Sequence, residues 1–91
     1  MGTVLITIKI MPDDVDTDLA AIEVGAKRLV EKFDGNYSGS VKEPVAFGLN
    51  ALVIRFSFDE KNNNLEPLED NLRNVDGVAG VEVTDMRKAL G

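Results

Sequence analysis

The sequence predicts an α+β sandwich built in the order strand, helix, strand, strand, helix, strand, and three observations predict it. Runs with period-two alternation and β-branched or aromatic residues occur at 3–11, 49–58 and 78–86, with a more polar run at 37–43. Two stretches between them, about 18–33 and 65–75, place apolar residues at steps of three and four. Proline, glycine, asparagine and aspartate mark the joins between these segments.

The first strand carries Val4, Ile6, Ile8 and Ile10 on one face and Thr3, Thr7 and Lys9 on the other. Pro12 stops it. Asp13, Asp14, Asp16 and Asp18 then form an acidic turn ending in helix-capping residues. A calcium loop would need glycine and glutamate at its sixth and twelfth positions. Counted from Asp14, those places hold Leu19 and Gly25, so capping is the better account. The first helix follows, with Leu19, Ile22, Ala26, Leu29, Val30 and Phe33 as its apolar stripe. Glu23, Lys27 and Glu31 are spaced as i,i+4 pairs and read as a solvated outer face. Gly25 suggests close packing on the sheet.

The second strand, Tyr37 to Glu43, is mostly polar and ends at Pro44, which suits a sheet edge. By simple alternation Tyr37, Gly39, Val41 and Glu43 share one face. The chain bends at Phe47-Gly48, where glycine supplies backbone freedom. Taken alone, Phe47 is expected to fold back onto the core. The third strand, Leu49 to Phe58, is apolar on both sides and is expected to be central. Asn63 and Glu66 suggest a capping box opening the second helix, with Pro67 in its first turn and Asp76-Gly77 at its end. In the last strand Val81 and Val83 share a face, with Ala79 and Asp85 nearby in register.

Two crossovers of this kind put the last strand beside the first. The expected architecture is the ferredoxin-like βαββαβ sandwich, with an antiparallel sheet in the order four, one, three, two and both helices on one face. With 91 residues, 44% of them apolar, the chain is expected to form a single domain spanning 1–91.

Composition excludes several functions. There is no cysteine and no histidine, so thiolate and imidazole chemistry are absent. The net charge of −6 argues against a direct nucleic-acid surface. No apolar run is long enough to cross a membrane and no basic leader is read, so a cytoplasmic protein with no membrane partner is expected. The fold itself hosts many functions. A metal chaperone would need Cys-x-x-Cys. An RNA-recognition motif would need aromatics where the third strand has Ala51, Val53, Arg55 and Ser57. An acyl-phosphate hydrolase would need a cationic anion loop where this chain has Pro12-Asp13-Asp14. No general acid–base or nucleophilic constellation exists, so no catalytic residue, resident metal or cofactor is expected. A binding module is left. A small-molecule-binding regulatory domain of the same fold stays open as the alternative.

Two features are specific: the aromatic bend at Phe47-Gly48, and the basic pair Arg87-Lys88 on an acidic chain. Read alone, the pair is two solvated cations. Topology puts the bend at one end of the sheet and the end of the fourth strand at the other. They are separated by about the 33 Å of a ten-residue strand, so a partner held at both ends must be large.

Glu43-Pro44-Val45-Ala46-Phe47-Gly48-Leu49-Asn50-Ala51-Leu52, with Gly77-Val78 and the ending Val83-Thr84-Asp85-Met86-Arg87-Lys88-Ala89-Leu90, resembles archaeal elongation factor 1-beta. It is also similar to the C-terminal exchange domain of the eukaryotic factor. The resemblance covers nearly the whole chain, and the Pro-x-x-Phe-Gly-Leu-x-x-Leu string is its most specific part. It implies the ferredoxin-like fold and exchange of GDP for GTP on the GTPase elongation factor 1-alpha. It also implies that the Phe-Gly aromatic, here Phe47, touches the GTPase beside Gly48. A lysine near the C-terminus, here Lys88, would reach the magnesium and phosphate region. Ala89, Leu90 and Gly91 follow that lysine, unlike the eukaryotic ending, so Arg87 is the alternative cation.

Overall fold

Alternation alone drives one face of the first strand out of water. In the computed structural model, which describes residues 2–62 and 64–89, Val4, Ile6, Ile8 and Ile10 of β1 (Thr3–Pro12) are all buried. The remaining elements are α1 (Leu19–Lys32), β2 (Asn36–Pro44), β3 (Asn50–Asp59), α2 (Glu66–Arg73) and β4 (Val78–Lys88). β1 pairs antiparallel with β3, from Thr3↔Asp59 to Ile10↔Leu52, and with β4, from Val4↔Lys88 to Pro12↔Val78. β2 pairs antiparallel with β3. The sheet order is β2-β3-β1-β4, the predicted order, and the polar β2 is an edge as its composition requires.

One sheet face and the two helices enclose the core. Leu52, Ile54, Phe56 and Phe58 of β3 meet Ile22, Ala26 and Val30 of α1 and Leu68 and Leu72 of α2. Phe33 stands edge-on to Phe58, with ring centroids 5.5 Å apart. Asp18 caps α1, accepting the backbone N–H of Ala20 at 3.0 Å and of Ala21 at 3.2 Å. Asp13 accepts from the Thr17 hydroxyl and Asp14 from the Asp16 N–H, so both acids also serve the turn.

Several local expectations need correction. α2 opens later than the capping box implied. Leu65 holds the cap position without a side-chain bond, and Glu66 is the first helical residue. Asn63 lies outside the described residues. Asn64 Oδ1 instead accepts from the Glu66 N–H at 3.2 Å, and Pro67 does fall in the first turn. The helix ends at Arg73, short of Asp76-Gly77, and Val75 packs on the core from the turn. Gly25 faces that turn, not the sheet: a Cβ there would meet Val75 Cγ1 at 3.6 Å. Gly77 adopts φ +89°, and its missing Cβ would come within 2.8 Å of Thr17 Cγ2. Gly77→Ala is therefore expected to cost about 1–2 kcal/mol in chemical denaturation, since it adds left-handed strain to a clash.

Three irregularities of register break the simple alternation. Tyr37 pairs with Phe56 and Gly39 with Arg55, leaving Ser38 as a bulge in β2. Tyr37 therefore joins Ser40 and Lys42 on the helix side instead of sharing a face with Val41 and Glu43. In β4, Thr7 pairs with Asp85 and Ile8 with Val83, so Thr84 is a bulge. Another shift leaves out Ala79. Asp85 consequently turns to the open sheet face, away from Val81 and Val83.

The β2 bulge creates a polar seam that periodicity did not reveal. Glu23, read above as solvated, accepts hydrogen bonds from the Ser40 hydroxyl and, at 2.7 Å, from the Tyr37 hydroxyl. The Ser40 and Tyr37 bonds hold its carboxyl below the usual range against a smaller opposing effect of burial. Burial first, and the Glu23 carboxylate second, push the Tyr37 hydroxyl up to about 12. A carboxylate favoured in the folded chain stabilises it above the unfolded value, and that stability is lost as pH falls through the folded value. Glu23→Ala is expected to cost about 1–2 kcal/mol at neutral pH. In pH-dependent thermal melts, the gap between variant and parent should close once the solution is acid enough to protonate Glu23.

Candidate functional site

The link between β2 and β3 is a closed, left-handed turn. The Val45 N–H donates to the Leu49 carbonyl at 2.9 Å, and the Leu49 N–H to the Ala46 carbonyl at 3.3 Å. Between these bonds Ala46–Gly48 form a single 3₁₀ turn. Phe47 has φ 61°, ψ 31° and Gly48 has φ +75°. Gly48 is suited to this region. Phe47 is not, because its Cβ crowds the backbone there. The residue is 94% exposed. The expectation that Phe47 folds onto the core is thus overturned: the two adjacent positive φ values point the aromatic outward. A bulky residue that strains its backbone and buries almost no surface within its own chain contributes nothing to folding. Its backbone strain and exposure mark this tip as a candidate contact site.

Arg87 and Lys88 are the last two residues of β4, at the opposite end of a molecule 42 Å long. The Thr84 bulge decides which way each points. Lys88 is paired with Val4 and Met86 with Ile6, so both follow those residues to the helix side. Arg87, paired with Leu5, stands on the open face beside Asp85. Arg87 Nε donates to Asp85 Oδ2 at 2.9 Å. Lys88 Nζ lies 3.4 Å from Glu60 Oε2, and its side chain is 77% exposed. Glu60 opens the 3₁₀ turn after β3. The Glu60 N–H donates to the Gly2 carbonyl at 3.0 Å, and the Ala89 N–H donates to the Thr3 carbonyl at 2.8 Å, pinning both chain segments. Val4, Glu60, Lys61, Met86, Arg87 and Lys88 line an open cleft at this end.

The structure therefore does not bring the four sequence-predicted residues together. Phe47 and Gly48 form one tip, and Arg87 and Lys88 the other. Sequence reasoning missed Glu60 and the bulge. The bulge left one trace: apolar residues of β4 switch from odd positions, Val81 and Val83, to an even one, Met86. Among the described residues, no group of three or more acidic side chains is placed to hold a metal ion, and no helix is long and apolar enough to cross a membrane.

A four-stranded antiparallel sheet in the order β2-β3-β1-β4 with two helices on one face defines a ferredoxin-like domain. Residues 5–89 match the family described as EF-1 guanine nucleotide exchange domain, and the chain belongs to that family. Elongation factor 1-beta of Methanosarcina barkeri is 37% identical to it over 86 residues, covering 94% of this chain and 97% of that protein. Elongation factor 1-beta of Methanothermobacter thermautotrophicus is 36% identical, covering 99% of this chain and 100% of that one. Among solved structures, a crystal structure of the ACT domain from the GTP pyrophosphokinase of Chlorobium tepidum aligns with TM-score 0.57 at 25% identity, over 87% of this chain and 95% of that one. The C-terminal domain of the Mycobacterium tuberculosis MgtC protein aligns with TM-score 0.61 at 13% identity, over 98% and 88% of the two chains, a likeness of fold alone.

Proposed function

We propose that this chain promotes exchange of GDP for GTP on elongation factor 1-alpha by gripping that GTPase with Phe47 and unsettling its magnesium site with Lys88. The observation that carries the reading is the pair of tips: an outward aromatic held at backbone cost, and an exposed ammonium at the far end of a rigid sheet. In GTPases the phosphates of the nucleotide are held by a phosphate loop together with Mg²⁺. An ammonium group brought beside that ion repels it and competes for its carboxylate ligand. Once the ion leaves, phosphate binding weakens and GDP departs. No bond is made or broken. Coupling is reciprocal, so GDP must in turn weaken the grip of the factor.

Lys88 suits this task better than Arg87. A compact ammonium fits where a cation must approach a metal, whereas a guanidinium is a planar fork. Arg87 is also held on the open face by Asp85. The acidic surplus of the chain discourages stray nucleic-acid binding and leaves the GTPase as the sole partner in this scheme.

The test is stopped-flow release of a fluorescent GDP from the partner GTPase, with and without this chain. Acceleration supports the reading, and unchanged release removes it. The alternative of a small-molecule regulatory domain draws on the likeness to the ACT domain. It predicts that a ligand shifts the melting temperature of this chain with no GTPase present.

A further inference from the structure

We infer that Glu60 is the resident counter-ion of Lys88, holding its ammonium in the free protein and giving it up when the chain docks. The inference rests on the exchange reading above and goes past it, to the residue that sets the starting position of the cation.

Three contacts build this arrangement. The Glu60 N–H is bonded to Gly2 and the Ala89 N–H to Thr3, so the turn carrying Glu60 and the strand end carrying Lys88 are both fixed to the start of β1. Glu60 Oε2 then lies 3.4 Å from Lys88 Nζ. Gly2 leaves room for this: a Cβ on Gly2 would fall 2.8 Å from that same Glu60 oxygen. Lys61, Arg87 and Lys88 line the cleft, and among the described residues Glu60 is the one carboxylate that lines it. Arg87 is already paired with Asp85, so Glu60 faces the two remaining cations of the cleft, Lys61 and Lys88.

Glu60 cannot accompany Lys88 into a phosphate site. A carboxylate brought beside Mg²⁺ and GDP would attract the ion and repel the phosphates, cancelling the effect of the ammonium. The Lys88–Glu60 contact must open as the lysine exchanges Glu60 for an acidic group of the partner. Opening it opposes exchange by the strength of an exposed ion pair, which is small and screened by salt.

Glu60→Gln keeps the shape and the backbone bond to Gly2 while removing the charge. It is expected to speed GDP release about two- to fivefold at low ionic strength, the range an exposed pair carries. The gain should fade toward one as salt is raised. In a Lys88→Ala background the same change should have no effect, which a purely structural role for Glu60 would not predict. An unchanged or slower rate for Glu60→Gln, or an equal gain with Lys88 absent, overturns the inference. If Lys88→Ala leaves release unaffected, it is the exchange reading that fails.

Discussion

Phe47→Ala is expected to weaken binding to the partner GTPase by roughly ten- to a hundredfold while leaving the melting temperature of the free chain unchanged. The residue is 94% exposed, so truncation removes almost no packing within the chain. In the proposed complex the same ring would be an aromatic anchor of the kind that dominates interface energetics, and ten- to a hundredfold corresponds to about 1.4–2.8 kcal/mol. A companion variant separates strain from contact. Phe47→Gly should bind as weakly as the alanine variant and be more stable than the parent by about 1 kcal/mol, because glycine accepts φ near +60° without penalty. Titration calorimetry with the GTPase and thermal melts of the free chain give both quantities. A drop of several degrees in Phe47→Ala would place the ring in a core after all. Parental affinity would leave the strained turn with no functional account.

The fold was legible because its decisive signals are local and repeated. Alternation runs the length of β1, so Val4, Ile6, Ile8 and Ile10 name its buried face, while Pro44 and the polar run before it name the edge. The order of the strands then follows from connection rules that leave few alternatives. What escaped depends on tertiary pairing. A bulge such as Ser38 or Thr84 is one residue that the neighbouring strand skips, and alternation carries it only as a change of parity. Glu23 looked solvated because a helix wheel shows its own helix and not the hydroxyls of Tyr37 and Ser40 across the seam. The candidate site was half legible. The residue types at both tips were visible, but the outward turn of Phe47 and the Glu60 carboxylate beside Lys88 are properties of three-dimensional placement.

On the proposed exchange mechanism, the two tips would divide the labour. Phe47 is held by a turn closed with backbone bonds, so it is a fixed anchor, and docking it costs little conformational entropy. Lys88 is a flexible side chain at the end of a pinned strand, so it can move locally while its base stays in place. In the proposed mechanism the sheet between them would convert binding at one end into delivery of charge at the other. Contact energy at Phe47 can therefore offset the cost of weakening GDP.

Lys88→Ala tests the delivery of charge directly, and its effect on exchange should be the largest of all. Removing the cation is expected to slow GDP release about a hundredfold at saturating factor, in line with loss of a charged group acting inside a water-poor site. Affinity for the nucleotide-free GTPase should fall only a few-fold, because the anchor at Phe47 is intact. Reciprocity supplies an independent check. If Lys88 is what sets factor against GDP, then GDP should weaken binding of Lys88→Ala much less than it weakens the parent. Lys88→Arg should restore little, since the guanidinium cannot replace a compact ammonium beside a metal. Arg87→Ala should change exchange only slightly, as that side chain is turned to the open face and paired with Asp85. The opposite pattern, a slow Arg87→Ala beside a parental Lys88→Ala, would transfer the role to the neighbouring residue. Parental rates for both would end the account of magnesium repulsion, whatever Phe47 does.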